Sequence, residues 1–310
     1  MDNIKKNIII GGGITGLVCL EYFSDYSLLE SSCELAKDFL DNTLPKYLHF
    51  DESIEKFFKK IDFTPVLKEF DISIVLDDRE IPFNYEGNDK RDIYELYCMS
   101  KYGKVVENKM NGFMNYSPSY YVENKDELIN LLFKRNKDRI FVNCPVRKIN
   151  EKYFYLDDNQ YEYNNMISTI HISILRSIKD CERQIECDKI KSTCIKFVLT
   201  ESCNKRSFSY IISEKYNFNR VTYYDDIVTF EFPDIYDELI EENVNQCITF
   251  LQERYLYYIS DNIFRNVFYH SKDSLSKLDD ILLIGRYAQL DYSLKINDVI
   301  KRLEEGLYGR

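Results

Sequence analysis

The sequence predicts an α/β fold in which a parallel-sheet domain, assembled from separated stretches, carries an inserted α+β domain with an antiparallel sheet. Three observations predict it. The chain opens on three consecutive isoleucines, Ile8, Ile9 and Ile10, followed at once by glycines. A run apolar at every position reads as a parallel strand covered on both faces. Runs of the same kind return at 165–170 and 280–286. Between them, residues 186–232 hold four short β-rich segments, 194–198, 208–212, 220–224 and 227–232, the pattern of antiparallel strands.

The first element also carries the sharpest chemistry. Gly11, Gly13 and Gly16 have the spacing G-x-G-x-x-G directly after the isoleucine strand. Gly11 allows the tight turn, Gly13 lets backbone approach a pyrophosphate, and Gly16 lets the next helix pack close to the sheet. That helix opens with Ile14 and Thr15, and its N-terminus offers unpaired N–H groups and a positive dipole end to phosphate. A second strand, 26–30, ends in Glu30, 14 residues past Gly16. There a carboxylate accepts from the ribose hydroxyls of a dinucleotide. Strand, glycines, helix, strand and terminal Glu in this order predict a Rossmann-like dinucleotide site; the alternative is a glycine-rich turn without a ligand.

Further along, Asp51 caps an amphipathic helix to about residue 60, with Ile54, Phe57 and Phe58 on one face. Residues 72–76 and 80–84 form a hairpin about Asp77 and Asp78. A helix runs from Asp92 to about 106, and 110–121 reads as a loop. A helix carrying Leu128, Leu131 and Leu132, strands 139–142 and 146–149, and a hairpin about 157–159 follow, and this β-rich block is expected to rejoin the first sheet. A helical stretch is expected from 233 to about 258. The strand at 280–286 ends in Gly285 and Arg286, and Asn297 and Asp298 open a C-terminal helix. The organisation predicted is a dinucleotide-binding domain of 1–50, 124–175 and 276–310, with a substrate domain of 51–123 and 176–275.

Composition narrows the partners. The net charge of −11 argues against a nucleic-acid backbone or an anionic membrane surface. No apolar run reaches the ~18–20 residues that span a bilayer. The glycine motif starts too near the N-terminus to leave room for a signal peptide, so a cytoplasmic protein is expected. Nine cysteines without a CxxC pair read as reduced thiols, with no metal site.

Taken together, the landmarks resemble the FAD-binding group of amine oxidases, phytoene-desaturase-like enzymes and UDP-galactopyranose mutases, most closely the mutase branch. Gly11 to Gly16 with Glu30 match its pyrophosphate and ribose motif. Lys46-Tyr47-Leu48-His49 is similar to a His-x-x-His segment near the flavin, with Lys46 at the first histidine and His49 at the second. Ile81-Pro82-Phe83-Asn84 resembles Leu-Pro-Phe-Asn, and Ser168-Thr169-Ile170 resembles the Ser-Thr-Ile-Pro strand end, with His171 in place of proline. Asn219-Arg220-Val221 is similar to a substrate-side Thr-Arg-Ile, and Glu231-Phe232-Pro233 to Glu-Tyr-Pro. Gly285-Arg286-Tyr287-Ala288 with Tyr292 resembles the terminal Gly-Arg motif and its phosphate-binding tyrosine. The segment 31–40 holds no glycine, where many such flavoproteins carry a Gly-Gly pair.

The resemblance implies an FAD-binding domain of the two-dinucleotide-binding type. Its cofactor residues would be Gly11, Gly13, Ile14, Thr15, Gly16, Glu30, Val146, Gly285 and Arg286. Arg220, Arg286 and His49 would serve catalysis, and Asn84, Arg220, Tyr287 and Tyr292 would hold an anionic substrate. Arg220 has the alternative of a strand-edge surface charge, and His49 that of a histidine satisfied by backbone. Three functions stay open. One is a mutase-like enzyme acting on a nucleotide sugar through the flavin N5. The second is an oxidoreductase of the amine oxidase type, and the third a degenerate flavin-binding interaction protein. NAD(P)H would act, if at all, as an external reductant.

Overall fold

The structure is a computed structural model that describes residues 4–40, 48–76, 79–82, 87, 89–102, 119–179, 188–203, 206–233, 239–270, 277–278, 280–290 and 294–308. The chain begins with β1 (Asn7–Ile10), α1 (Ile14–Tyr22), β2 (Tyr26–Leu29), the short α2 (Lys37–Leu40) and α3 (Glu52–Ile61). It continues through β3 (Leu67–Leu76), β4 (Arg79–Pro82), α4 (Lys90–Tyr102), β5 (Ser119–Val122) and α5 (Lys125–Asn136). Then come β6 (Ile140–Phe141), β7 (Val146–Ile149), β8 (Tyr153–Leu156), β9 (Asn159–Glu162), β10 (Asn165–Ser168) and α6 (Ile172–Lys179). Next are β11 (Asp188–Leu199), β12 (Arg206–Ile212), β13 (Arg220–Tyr224), β14 (Ile227–Pro233), α7 (Ile240–Gln252) and β15 (Tyr258–His270). The last elements are β16 (Lys277–Leu278), β17 (Ile281–Leu283), α8 (Arg286–Gln289) and α9 (Ile296–Glu304).

Two compact units divide the chain: Met1–Leu67, Val122–Asp188 and Tyr269–Arg310 form the first, and Lys68–Tyr121 with Lys189–Phe268 the second. The first is built on a sheet of order β16-β17-β10-β1-β2-β6. Strand β1 runs parallel to both β2 and β10, so the strand order reverses beside it. In such sheets ligands bind outside the carboxyl ends at the reversal point. Ile9 lies in one apolar core, with α1, α3, α5 and α9, whereas Ile8 and Ile10 lie in the other, with α6 and β8. That division is why the isoleucine run needs no polar alternation.

Two readings of this unit are corrected. The seam falls after residue 67 rather than after 50, because Ile54, Phe57, Phe58 and Ile61 of α3 are at most 2% exposed and lie in the first unit's core. Asp51 does cap α3, its Oδ1 accepting from the Ile54 N–H at 2.9 Å. Of the β-rich block, only β6 and β10 rejoin the parallel sheet; β7, β8 and β9 form a separate three-stranded sheet. Their Ile149, Phe154 and Leu156 join the same core as Ile8 and Ile10, which buries them without extending the sheet.

The second unit is an eight-stranded sheet of order β15-β11-β14-β13-β12-β3-β4, with β5 also paired to β3. Its pairs from β11 to β12 are antiparallel, and β12 lies parallel to β3. Phe197, Val221, Val228, Phe230 and Phe232 pack with Cys247, Phe250 and Leu251 of α7. Ile74, Ile81 and Ile212 pack with Ile93, Tyr94 and Tyr97 of α4. The helix expected from 233 to 258 is confined to Ile240–Gln252, and a long strand, β15, follows it. Ser260, Asp261 and Asn262 interrupt the strand pattern there, while the Tyr258 ring packs 4.8 Å from that of Phe197. The expected loop at 110–121 ends in β5, whose pairing with β3 no local pattern reveals. All described cysteines are free; Cys181 and Cys187 lie outside the described residues.

Candidate functional site

The site is built where β1 ends. Gly11 adopts φ +109°, and its N–H donates to the Leu29 carbonyl at 2.9 Å. A Cβ there would lie 2.6 Å from Thr169 Oγ1, and the Thr169 hydroxyl donates to the carbonyls of Ile10 and Gly11, each at 3.1 Å. A Cβ on Gly16 would lie 2.0 Å from the Gly11 carbonyl oxygen, so α1 can dock on the turn only with glycine at that position. Gly13 is different. It has an ordinary φ of −66°, and a Cβ built on it meets nothing within 4 Å. It stands at the N-cap of α1 without a side-chain cap, so Ile14 and Thr15 begin a helix whose amide end faces open space.

Glu30 follows β2. Its Oε2 accepts from the Gly12 N–H at 2.6 Å, and its Oε1 accepts from the Ser32 N–H at 2.8 Å and the Ser31 hydroxyl at 3.0 Å. The carboxylate is thereby fixed beside the glycine turn. Its own carbonyl accepts from the Cys144 N–H at 2.8 Å, which ties the segment leading into Val146 and β7 to the same edge. From the other side of the sheet, Gly285 arrives after β17 with φ +99°, and a Cβ on it would lie 3.0 Å from Thr15 Cγ2. Arg286 opens α8 and donates from Nε to the Leu294 carbonyl at 3.1 Å. The Tyr287 ring lies 6.1 Å from that of His171.

Thus the structure brings Gly11, Gly13, Ile14, Thr15, Gly16, Glu30 and Gly285 together at the carboxyl edge of the first unit's sheet. His49 is held from elsewhere: Asn297 of α9 donates from Nδ2 to its backbone carbonyl at 2.9 Å. Burial, and then the Lys295 charge, push its imidazole down to about 3, so the ring is neutral. Arg220 belongs to the second unit. It forms a close ion pair across the sheet with Glu231, and its guanidinium lies 5.9 Å over the Phe208 ring. Asn84, Tyr292, Lys46 and Tyr47 lie outside the described residues. Thr169 is the site residue whose role in holding the turn the sequence reading did not name. No group of metal-ligating side chains occurs among the described residues.

A glycine turn, an open helix N-terminus and a fixed carboxylate after the adjacent strand are the features with which α/β folds hold a dinucleotide. No protein-family model and no curated protein matches the sequence. Solved structures do. The CLA-producing fatty acid isomerase of P. acnes aligns with a TM-score of 0.66 over 98% of both chains at 10% identity. An oxidoreductase from Methanosarcina mazei aligns at 0.64 over 97% of this chain and 99% of that one, at 9% identity. Reduced UDP-galactopyranose mutase aligns at 0.61 over 98% of this chain and 96% of that one, at 12% identity. The chain shares the fold of these solved structures.

Proposed function

We propose that this protein is a flavoenzyme that binds FAD non-covalently and acts, like UDP-galactopyranose mutase, on a nucleotide sugar or related anionic substrate. One observation carries the cofactor: Gly13 is a glycine that the protein's own packing does not require. Space is open around it and its φ suits any residue. A pyrophosphate on the amides of α1, with Glu30 accepting from a ribose, would use that space. The residues fit the group.

A bound flavin would supply the reactive ring, at N5 in the mutase-like reading. The chain's own residues would then bind and orient. Arg286 and Tyr287, following Gly285, are proposed to face the substrate, with Asn84, Tyr292 and Arg220 as further contacts and His49 as a neutral group near the ring. Arg286 offers a guanidinium suited to phosphate oxygens. Nothing in the structure or the comparisons supports NAD(P)H as an external reductant.

The decisive experiment is the absorbance spectrum of the purified protein, followed by UDP-galactose added to the reduced form. Flavin bands with interconversion of the sugar ring support the proposal. Flavin bands with oxygen uptake during turnover of another substrate favour the amine oxidase-type alternative, and a colourless protein that cannot be loaded with FAD removes both.

A further inference from the structure

We infer that the outer edge of β15 is a dimer interface, where a second copy of this chain adds its own β15 antiparallel about a two-fold axis at Ile263. The inference stands apart from the flavoenzyme reading, because it rests on the second unit's sheet alone.

The two ends of that sheet are finished differently. At one end β4 is four residues long, with Arg79, Glu80 and Pro82 all exposed. Shortness, charge and proline are the usual means of blunting an edge. At the other end β15 is 13 residues long, and among the described residues no strand pairs beyond it. It contains neither proline nor lysine. The Thr200 N–H donates to the Tyr257 carbonyl at 2.8 Å, so the backbone of Tyr257 is turned toward β11. Successive residues of a strand turn their backbone groups to alternate edges, which directs those of Tyr258, Ser260 and Asn262 outward. Such a row specifies an extended strand as its occupant. Apolar surface goes with it: Tyr257 is 65% exposed, Ile259 71% and Ile263 37%.

The strand's own sequence selects the second copy. Tyr258 packs its ring 4.8 Å from Phe197, which lies in the core with α7, so Ile259, Asp261 and Ile263 occupy the opposite face. From 257 to 268 the only charged residues are Asp261 and Arg265. With the axis at Ile263, Asp261 of each copy falls opposite Arg265 of the other. Ile259 falls opposite Val267, and Ile263 opposite itself. No like charges are opposed, and opposite-charge and apolar pairs are those that stabilise antiparallel strands. Lys196 of β11 shares this face and has the sign that suits Asp261, so it does not oppose the pairing. The same axis sets Asn262 opposite Phe264 and Ser260 opposite Asn266. These positions all turn their backbone outward, so the hydrogen bonds close in the antiparallel pattern. The interface is isologous and therefore stops at two copies, and the blunted β4 end offers no second edge for further growth.

The test is sedimentation of the full chain over a range of concentrations, for wild type, Asp261→Arg, Arg265→Asp and the double reversal. One strand pair is a small interface, so wild type should pass from monomer to dimer between about 1 and 100 μM. Each single reversal opposes like charges twice and should weaken the dimer at least about fivefold. The double reversal restores both pairs and should restore the dimer, and an equimolar mixture of the two single variants should form a heterodimer. Equal melting temperatures of the four proteins at 1 μM or below would show that the variants fold. Amide hydrogen exchange supplies a second readout that does not depend on any variant: Ser260 and Asn262 should exchange more slowly as wild-type concentration rises. A wild type that stays monomeric to about 100 μM overturns the inference and leaves the edge to another strand. A dimer unaffected by the single reversals, or one that the double reversal fails to restore, also overturns it, as does exchange at Ser260 and Asn262 that is independent of concentration.

Discussion

Gly285 packs on Thr15. The glycine two residues past β17 lies against the second residue of α1, so closely that a Cβ would sit 3.0 Å from Thr15 Cγ2. Its φ of +99° is a conformation that L-residues rarely adopt. Gly285→Ala is expected to cost about 1–3 kcal/mol of stability and to lower flavin content, measured by urea unfolding and by flavin absorbance. A variant as stable as wild type and fully loaded would show that this contact does not shape the site.

Gly13 and Gly16 should separate ligand binding from folding. Gly13→Val fills open space at an N-cap, so the apo protein should lose no more than about 1 kcal/mol. Its flavin should be lost, because the branched side chain occupies the space proposed for the pyrophosphate. Gly16→Ala drives a Cβ to 2.0 Å from the Gly11 carbonyl oxygen and should destabilise the fold itself. Full flavin occupancy in Gly13→Val would sink the cofactor assignment.

The Arg220–Glu231 pair should behave as a unit. Arg220→Ala removes the cation that faces a carboxylate with 7% side-chain exposure, and solvent at Arg220 moderates the penalty to about 2 kcal/mol. The Arg220→Ala, Glu231→Ala double variant should lose less than the sum of the two singles. Additive losses in urea unfolding would show that the pair contributes nothing as a pair.

Arg286→Ala tests the proposed anionic contact. It should weaken UDP by about 1.5–3 kcal/mol, the worth of a hydrogen bond to a charged group, when flavin fluorescence follows the titration. Wild-type affinity in the variant would remove Arg286 from the substrate site.

The buried His49 gives a pH signature. Its folded value of about 3 lies below the 6.5 of a free imidazole, so the unfolded chain binds more protons between those values. Stability is then fully present above about pH 6.5 and falls as pH drops through that window. Burial lowers His171 as well, in the same direction. In urea unfolding at pH 7 and pH 5, wild type should lose more stability than His49→Asn. Equal losses would place the effect on other groups.

The cofactor side of the site was legible because its signals are local. The isoleucine run, the three glycines and Glu30 fall within one strand–helix–strand passage, where spacing alone fixes which backbone turns and which side chain ends a strand. The four central strands of the second sheet and the cap of α3 were readable for the same reason.

Other features depended on which face meets which. The stripe of α3 announces that Ile54, Phe57, Phe58 and Ile61 are buried, but not in which unit's core. The strand β15 hides behind Ser260, Asp261 and Asn262 until the edge of β11 receives it. The backbone of His49 is held by Asn297, 248 residues away. Arg220 reads as an open cation until the register of β13 on β14 sets Glu231 opposite it. The sequence by itself determined the turn, the helix and the carboxylate that a dinucleotide needs. Only the tertiary structure decided what closes on Thr15 and what neutralises Arg220, because periodicity marks a face as apolar or polar without naming the surface that will cover it.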